Sequence, residues 1–494
     1  MRICIINTGG TISCAGQPLT PMSSDRFANA ARDLMGPSLA AALPGHDLHF
    51  DTGLRFSDKG TGTLDSTDLR PIDWCRMAQR VLDLYDDHDG FVILHGTDTM
   101  DYSGAALPLL LNVFDGLGMA RACLSKPVIL TGSQLPLLTE TPEGLALNAG
   151  SDAFANLAGA LAATRLRLPE VAIFFDGLLM RGSRALKVSS TEFAAFDSPF
   201  CPPLATAGIG IRHGAAVPLP GPAAPALSLD DFGARARVRA QLEAIAESIN
   251  SQRIVQIPAI PADHQGSRPL LAQMIDAAVA SGATGLVLEG FGEGNVPSGS
   301  GGMREALLRA QAQDVTTVIA SRAIRGRVGA FHYAAGAWIA ETGAIGAGDL
   351  TPVAALAKLM ILRAAVAHNG WDGTAVAALL TRSLAGECQA NDRLTASLLP
   401  GQTLWAADGA AALFNDPETG PRLMGNGHSL WQADGPGRMQ MLGDRLVLTA
   451  PNGATRWSSP PAGPGAIAVL TANPPVLRLI DPQGQAAPVT ALPG

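Results

Sequence analysis

The stretch Val92-Ile93-Leu94-His95-Gly96-Thr97-Asp98-Thr99-Met100 decides how this chain must be read. Its opening apolar run has the length of one strand and no polar alternation, the mark of a strand covered on both faces. Gly96 breaks the run, and small polar residues follow. In an open α/β sheet, chemistry gathers where parallel strands deliver polar residues at their carboxyl ends. The N-terminus repeats the design, with Ile3-Cys4-Ile5-Ile6-Asn7 running into Thr8-Gly9-Gly10-Thr11-Ile12. Two junctions that present threonines are what the rest of the chain has to serve.

Outward from these junctions, strand-like runs at 2–6, 91–95, 127–131 and 171–175 alternate with helical patterns near 24–35, 71–86, 101–116 and 145–164. That alternation over residues 1–213 predicts a mainly parallel sheet with helices on both faces. Residues 214–230, opening with GAAVPLPGPAAPALS, are rich in Pro, Ala and Gly and read as a linker. A second, smaller α/β unit spans 231–390, with strands at 254–258, 285–289 and 316–320 and helices near 268–281, 302–313, 351–368 and 372–385. Over 391–494 helical periodicity fades. Leu404-Trp405-Ala406-Ala407-Asp408-Gly409 returns 26 residues later as Leu430-Trp431-Gln432-Ala433-Asp434-Gly435, and Trp457 falls 26 residues after that. A period of this size marks a repeat. Together with runs such as Leu446-Val447-Leu448 and Leu477-Arg478-Leu479, it predicts an all-β module of three similar parts.

Composition narrows the function. At 494 residues the chain has room for about three domains, and 47% hydrophobic residues suffice for large cores. The net charge is −8 with no basic run, which argues against nucleic acid as a partner. No apolar run approaches the ~20 residues needed to span a bilayer. Polar Thr8 to Thr11 arrive too early for a signal peptide, so a soluble, cytoplasmic protein is expected. The six cysteines (4, 14, 75, 123, 201 and 388) lack CxxC spacing and read as reduced thiols. The nine histidines form no strong ligand set; His46 and His49, three apart, are too little, and neither metal nor cofactor is expected. Lysines are scarce, at 59, 126, 187 and 358 among 35 Lys and Arg. Lysine can give up its proton where arginine cannot, so each deserves inspection.

A threonine hydroxyl attacks poorly until a base takes its proton. Beside glycines, which let a substrate approach the backbone, threonines at strand ends suit acyl transfer. A single threonine there is more often a turn residue or helix cap; here the ensemble carries the signal. TGGTI after the first strand, HGTDTM after a central strand and Lys187 in Arg181-Gly182-Ser183-Arg184-Ala185-Leu186-Lys187 together resemble the bacterial-type L-asparaginase family. Asp65-Ser66-Thr67-Asp68 is similar to that family's substrate-carboxylate loop, and Lys126-Pro127-Val128-Ile129-Leu130-Thr131-Gly132-Ser133-Gln134 to its next strand and loop. Phe196-Asp197-Ser198-Pro199 and Pro202-Pro203-Leu204 resemble the cytoplasmic, type I branch. The likeness covers roughly residues 1–390.

The resemblance implies a two-domain asparaginase-like α/β fold that converts asparagine to aspartate and ammonia. Thr11 would be the nucleophile, and Thr97, Asp98 and Lys187 a second catalytic triad. Asp98 would bind the substrate ammonium, and Ser66 with the Thr67 backbone its α-carboxylate. Backbone N–H groups near Gly10 and Thr97 would hold the oxyanion. Family members place the site between subunits, which implies a homodimer or homotetramer in which Asn295, in Phe291-Gly292-Glu293-Gly294-Asn295-Val296-Pro297, reaches a neighbour's substrate. The chain departs from the family in one respect. The tyrosine usual about ten residues after the nucleophile is missing, and Leu19 or Thr20 stands near its place between Pro18 and Pro21 in what reads as a stiffer lid. The only tyrosines are Tyr85, Tyr102 and Tyr333.

The C-terminal module is similar to the mannose-binding bulb-lectin fold, a three-part β-prism, and so invites a carbohydrate or protein ligand. Yet Met441, Gly443, Arg445 and Thr449 stand where the sugar motif needs Gln, Asp, Asn and Tyr, and only Val447 matches. Alternatives to asparagine hydrolysis are a glutaminase or other small-carboxamide hydrolase, and a non-catalytic amino-acid sensor with a lectin-like docking module.

Overall fold

Five parallel strands carry the first sheet: Asp47–Asp51, Arg2–Asn7, Gly90–Leu94, Val128–Thr131 and Val171–Phe175, in that spatial order. Three antiparallel strands, Leu178–Arg181, Ala205–Ala207 and Ile211–His213, extend it at one edge. The computed structural model describes residues 1–489 apart from 117, 119, 217, 220, 223–224, 263–268, 329–335, 389–392, 395–396, 406–410, 426–427, 464–465, 473–474 and 481–484. Every residue of Gly90–Leu94 is buried, as its unbroken apolar sequence requires. Helices Pro71–Asp83 and Met100–Leu110 cover one face through Trp74, Met77, Val81 and Leu107. Helices Ser24–Ala42 and Ala153–Ala163 cover the other through Phe27, Met35 and Leu157.

The second sheet is wholly parallel, in the order Ile254–Pro258, Gly285–Gly290, Thr316–Ser321 and Ile345–Gly346. Helix Pro352–Asn369 starts at Thr351, whose hydroxyl accepts from Ala354 N–H at 3.0 Å, and ends at Gly370 in the left-handed conformation. It packs on Met100–Leu110 and on Phe232–Ser248, joining the two sheets through one apolar layer.

Several elements differ from their sequence reading. The pattern over 145–164 is not one helix: Gly144–Leu147 pairs with Leu138–Thr141 in a hairpin, and the helix starts at Ala153. Gly144 takes φ 120°, a turn conformation reserved for glycine. The helix read over 101–116 stops at Leu110, because the Asn112 side chain caps it by donating to Pro108 O while accepting from Leu124 N–H at 2.7 Å. Strand Asp47–Asp51 and helix Phe232–Ser248 escape the periodicity, the helix because Arg235 and Gln241 stand on its buried face. The proline-rich stretch after residue 213 is not slack throughout. Cys123 N–H donates to Leu227 O at 2.7 Å and Leu229 N–H to Cys123 O at 2.9 Å, tying its end to the first unit.

The C-terminal region consists of three four-stranded antiparallel sheets. Each takes a short first strand from the segment between Arg393 and Trp405 and a further three from one hairpin unit. The 26-residue repeat is visible in the register. Leu423 pairs with Trp431 and Leu448 with Trp457, and a bulge follows each leucine. The two indoles meet edge-on with centroids 5.2 Å apart, against a core of Leu413, Leu446, Leu470 and Leu477. The Ala406–Gly409 part of the first repeat lies outside the described residues.

Candidate active site

The carboxyl ends of the central strands bring three loops together. Thr8 N–H and its hydroxyl both donate to Leu94 O, at 3.0 and 2.8 Å, so the first junction is laid on the second. Gly10, at φ 71°, touches Gly96: a Cβ on Gly10 would stand 2.2 Å from Gly96 Cα. Thr11 and Thr97 are each the next residue after this glycine contact. The third loop joins through Leu64, which bridges to Gly9, and through Ser66, whose carbonyl accepts from the Thr99 hydroxyl at 2.9 Å.

Lys187 completes the group from a separate hairpin, where it pairs with Phe196. Its Nζ lies 2.8 Å from Thr97 Oγ1 and 2.6 Å from Asp98 Oδ1. Thr97 is buried, the lysine side chain is 18% exposed and the Asp98 carboxylate 55% exposed, so the aspartate also faces solvent. The structure therefore assembles Thr97, Asp98 and Lys187. Thr11 stands on the adjoining loop, half-buried, with no side-chain hydrogen bond to that group among the described residues.

Two backbone donors are already engaged. Gly10 N–H donates to Leu64 O at 2.9 Å, so that group is not free for an oxyanion. Thr67 N–H donates to Asp65 Oδ1 at 3.0 Å, as does the Thr67 hydroxyl. A carboxylate thus already sits where the Thr67 backbone is expected to meet the substrate's. Ser66 is buried, its side chain facing Gly96. Asn295 lies in the second unit, in a turn where its N–H donates to Phe291 O at 2.9 Å. No hydrogen bond among the described residues links it to the Thr97 group of its own chain.

Other positioning residues were not evident in the sequence. Asp101, buried in the first turn of its helix, accepts from Lys187 N–H at 3.2 Å and from Tyr102 N–H at 3.0 Å. Burial raises its carboxyl pKa. Its place at a helix N-terminus, directly after HGTDTM, was the available signal. His95 is fully buried; Nδ1 donates to Gly96 O at 2.7 Å, which leaves Nε2 to accept from the Ser103 hydroxyl at 2.8 Å. Burial lowers its pKa to about 4, so the ring is neutral. Arg184, three residues before Lys187, is buried against Asp349 Oδ2 at 2.6 Å and donates to Glu387 O at 2.9 Å. That ties the lysine's segment to the second unit.

The loop after the nucleophile candidate forms a small hairpin in which Cys14–Ala15 pairs with Thr20–Pro21 and Leu19 is 56% exposed. Tyr85 is packed far into the core, its hydroxyl accepting from Ser125 N–H at 3.0 Å, and Tyr102 sits beside Asp101. Tyr333 lies outside the described residues. The Cys4, His49 and His88 side chains, 39 or more residues apart in the chain for any pair, come together beside the first strand. Among the described residues no helix is long and apolar enough to cross a membrane.

Residues 2–216 match the family model "Asparaginase, N-terminal", and residues 264–379 match "Glutaminase/Asparaginase C-terminal domain". The chain is similar to L-asparaginase 1 of Escherichia coli (strain K12), at 33% identity over 396 residues, 79% of this chain and 98% of that protein. It also resembles the solved thermostable L-asparaginase of Thermococcus kodakarensis, with a TM-score of 0.56 and 26% identity over 78% of this chain and 99% of that one. The solved L-asparaginase I of Vibrio cholerae gives a TM-score of 0.55 and 28% identity, over 78% and 98%. Fold, loop convergence and these relatives together make the protein an amidohydrolase. More particularly, the chain belongs to the asparaginase family.

Proposed function

We propose that the protein hydrolyses L-asparagine to L-aspartate and ammonia through a threonine acyl-enzyme. The observation that carries this reading is Lys187 Nζ standing between Thr97 Oγ1 and Asp98 Oδ1. Thr11 Oγ attacks the carboxamide carbonyl, forming a tetrahedral adduct whose collapse expels ammonia. Water, activated by Thr97 and Lys187, then cleaves the ester. Lysine acts as a base only when neutral; in that state the same contact serves with the Thr97 hydroxyl donating to Nζ. The exposed face of Asp98 receives the substrate ammonium. Ser66 and Thr67 receive its α-carboxylate, which requires Thr67 N–H to leave the Asp65 side chain. Asn295 completes the site from a second copy of the chain, in a cytoplasmic homodimer or homotetramer.

One feature favours a second reading. The tyrosine-free hairpin over Cys14–Pro21 lacks a phenol to place over the nucleophile, which fits another small carboxamide, glutamine included, or an amino-acid sensor. For the C-terminal region we propose a lectin-like prism that docks a glycan or a protein. Ammonia release from L-asparagine and L-glutamine, measured beside Thr11→Ala, tests the main reading. Asparagine turnover lost in the variant is expected. Asparagine binding without turnover in either protein would establish the sensor instead.

A further inference from the structure

Cys4 and His49 are register partners on neighbouring parallel strands, so both side chains leave the same face of the first sheet. His88 meets them from the loop between helix Pro71–Asp83 and strand Gly90–Leu94. One ligand atom from each of the three lies within 4.8 Å of the others. His88 Nδ1 is 2.9 Å from Leu84 O, an acceptor only, so Nδ1 carries the hydrogen and Nε2 presents its lone pair to the cluster. A carbonyl bonded to the far ring nitrogen in this way is what orients a metal-bound imidazole. His49 Nδ1 faces that lone pair at 2.9 Å, with the two rings stacked 5.0 Å apart. Cys4 is fully buried and His88 3% exposed, while half-buried His49 on the edge strand leaves an entry path. The nearby Asp51 carboxylate is held by Arg80 and is not a fourth ligand.

We infer that Cys4, His49 and His88 form a zinc site that staples the first strand, the edge strand and the loop before the central strand. A thiolate and two imidazoles suit zinc, whose bonds of about 2.3 Å to sulfur and 2.0–2.1 Å to nitrogen put ligand atoms about 3.3–3.6 Å apart. The three atoms reach that spacing by moving about an ångström or less. Water takes the fourth position. A cysteine thiol carries its proton at neutral pH until a metal takes the sulfur. Capture therefore replaces the thiol proton: zinc gains a sulfur bond and one proton leaves to solvent, while the His49 hydrogen shifts from Nδ1 to Nε2. The site is separate from the Thr97 group and does not depend on the substrate assigned there.

The test uses untagged, full-length protein treated with chelator and dialysed. Cobalt(II) should bind once per chain with a thiolate-to-cobalt charge-transfer band that equimolar zinc removes. Calorimetry of zinc binding in two buffers of different ionisation heat should report about one proton released per ion. Cys4→Ala and His49→Phe should each lose the band, while Cys201→Ala keeps it. Circular dichroism identifies any variant that fails to fold, and the wild-type spectrum stands without variants. The inference is overturned if wild-type protein shows no thiolate band, or if the band survives in a folded Cys4→Ala or His49→Phe. A plain His49–His88 hydrogen bond would then be the whole role of the cluster.

Discussion

Lys187 is the residue on which most depends. Its Nζ makes both contacts of the group, and the Asp101 carboxylate fixes its backbone. Lys187→Met removes the proposed base while keeping the length of the stem. Turnover should fall about 10²–10⁴-fold with a smaller change in KM, read by steady-state ammonia release. His95 makes a prediction about pH. Its folded pKa of about 4 lies below the ordinary 6.5, so between those values the unfolded chain binds more protons. Stability therefore falls as pH drops from 6.5 to about 4, by about 3 kcal/mol in all, and is undiminished by this group above 6.5. Denaturant unfolding at pH 7 and pH 5 should show the difference, and His95→Asn should shrink it.

At the scale of elements, the glycine contact between the two junctions is the tightest constraint. Gly10→Ala puts a Cβ 2.2 Å from Gly96 Cα at a φ of 71°, and neither backbone can yield without moving a threonine. It should abolish turnover while the thermal transition survives at a lower temperature, seen by pairing the ammonia assay with a melt. Both loops were legible in the sequence, though not their contact. The apolar runs ending in TGGT and HGTDT located both loops, since strand period and glycine breaks are local properties. Local patterns did not show that Gly10 N–H and Thr67 N–H are already bonded, because Leu64 and Asp65 compete for them in three dimensions. Nor did they show Arg184 against Asp349, a pair 165 residues apart. Asp349→Ala leaves a buried guanidinium unpaired and should cost about 3–5 kcal/mol in denaturant unfolding, with reduced turnover.

Over the whole molecule, the two α/β units share an apolar layer and the buried Arg184–Asp349 ion pair, whereas the three-sheet region has its own core. Lys358, fully buried, pairs with Glu387 at 2.5 Å near the end of the second unit. A chain ending at Cys388 retains that pair and the Arg184 contacts, and should keep its turnover within a factor of about two. Loss of a folded state in this truncation, seen by circular dichroism, would mean that the last hundred residues support the others. The Arg184 anchors also carry a meaning for how the protein is made. A ribosome adding one residue at a time finishes the first sheet long before it reaches Asp349 and Glu387. Until those two carbonyls emerge, the turn that carries Lys187 lacks its last clamps. The segment that carries Lys187 is thus fully anchored only once the second unit has been made.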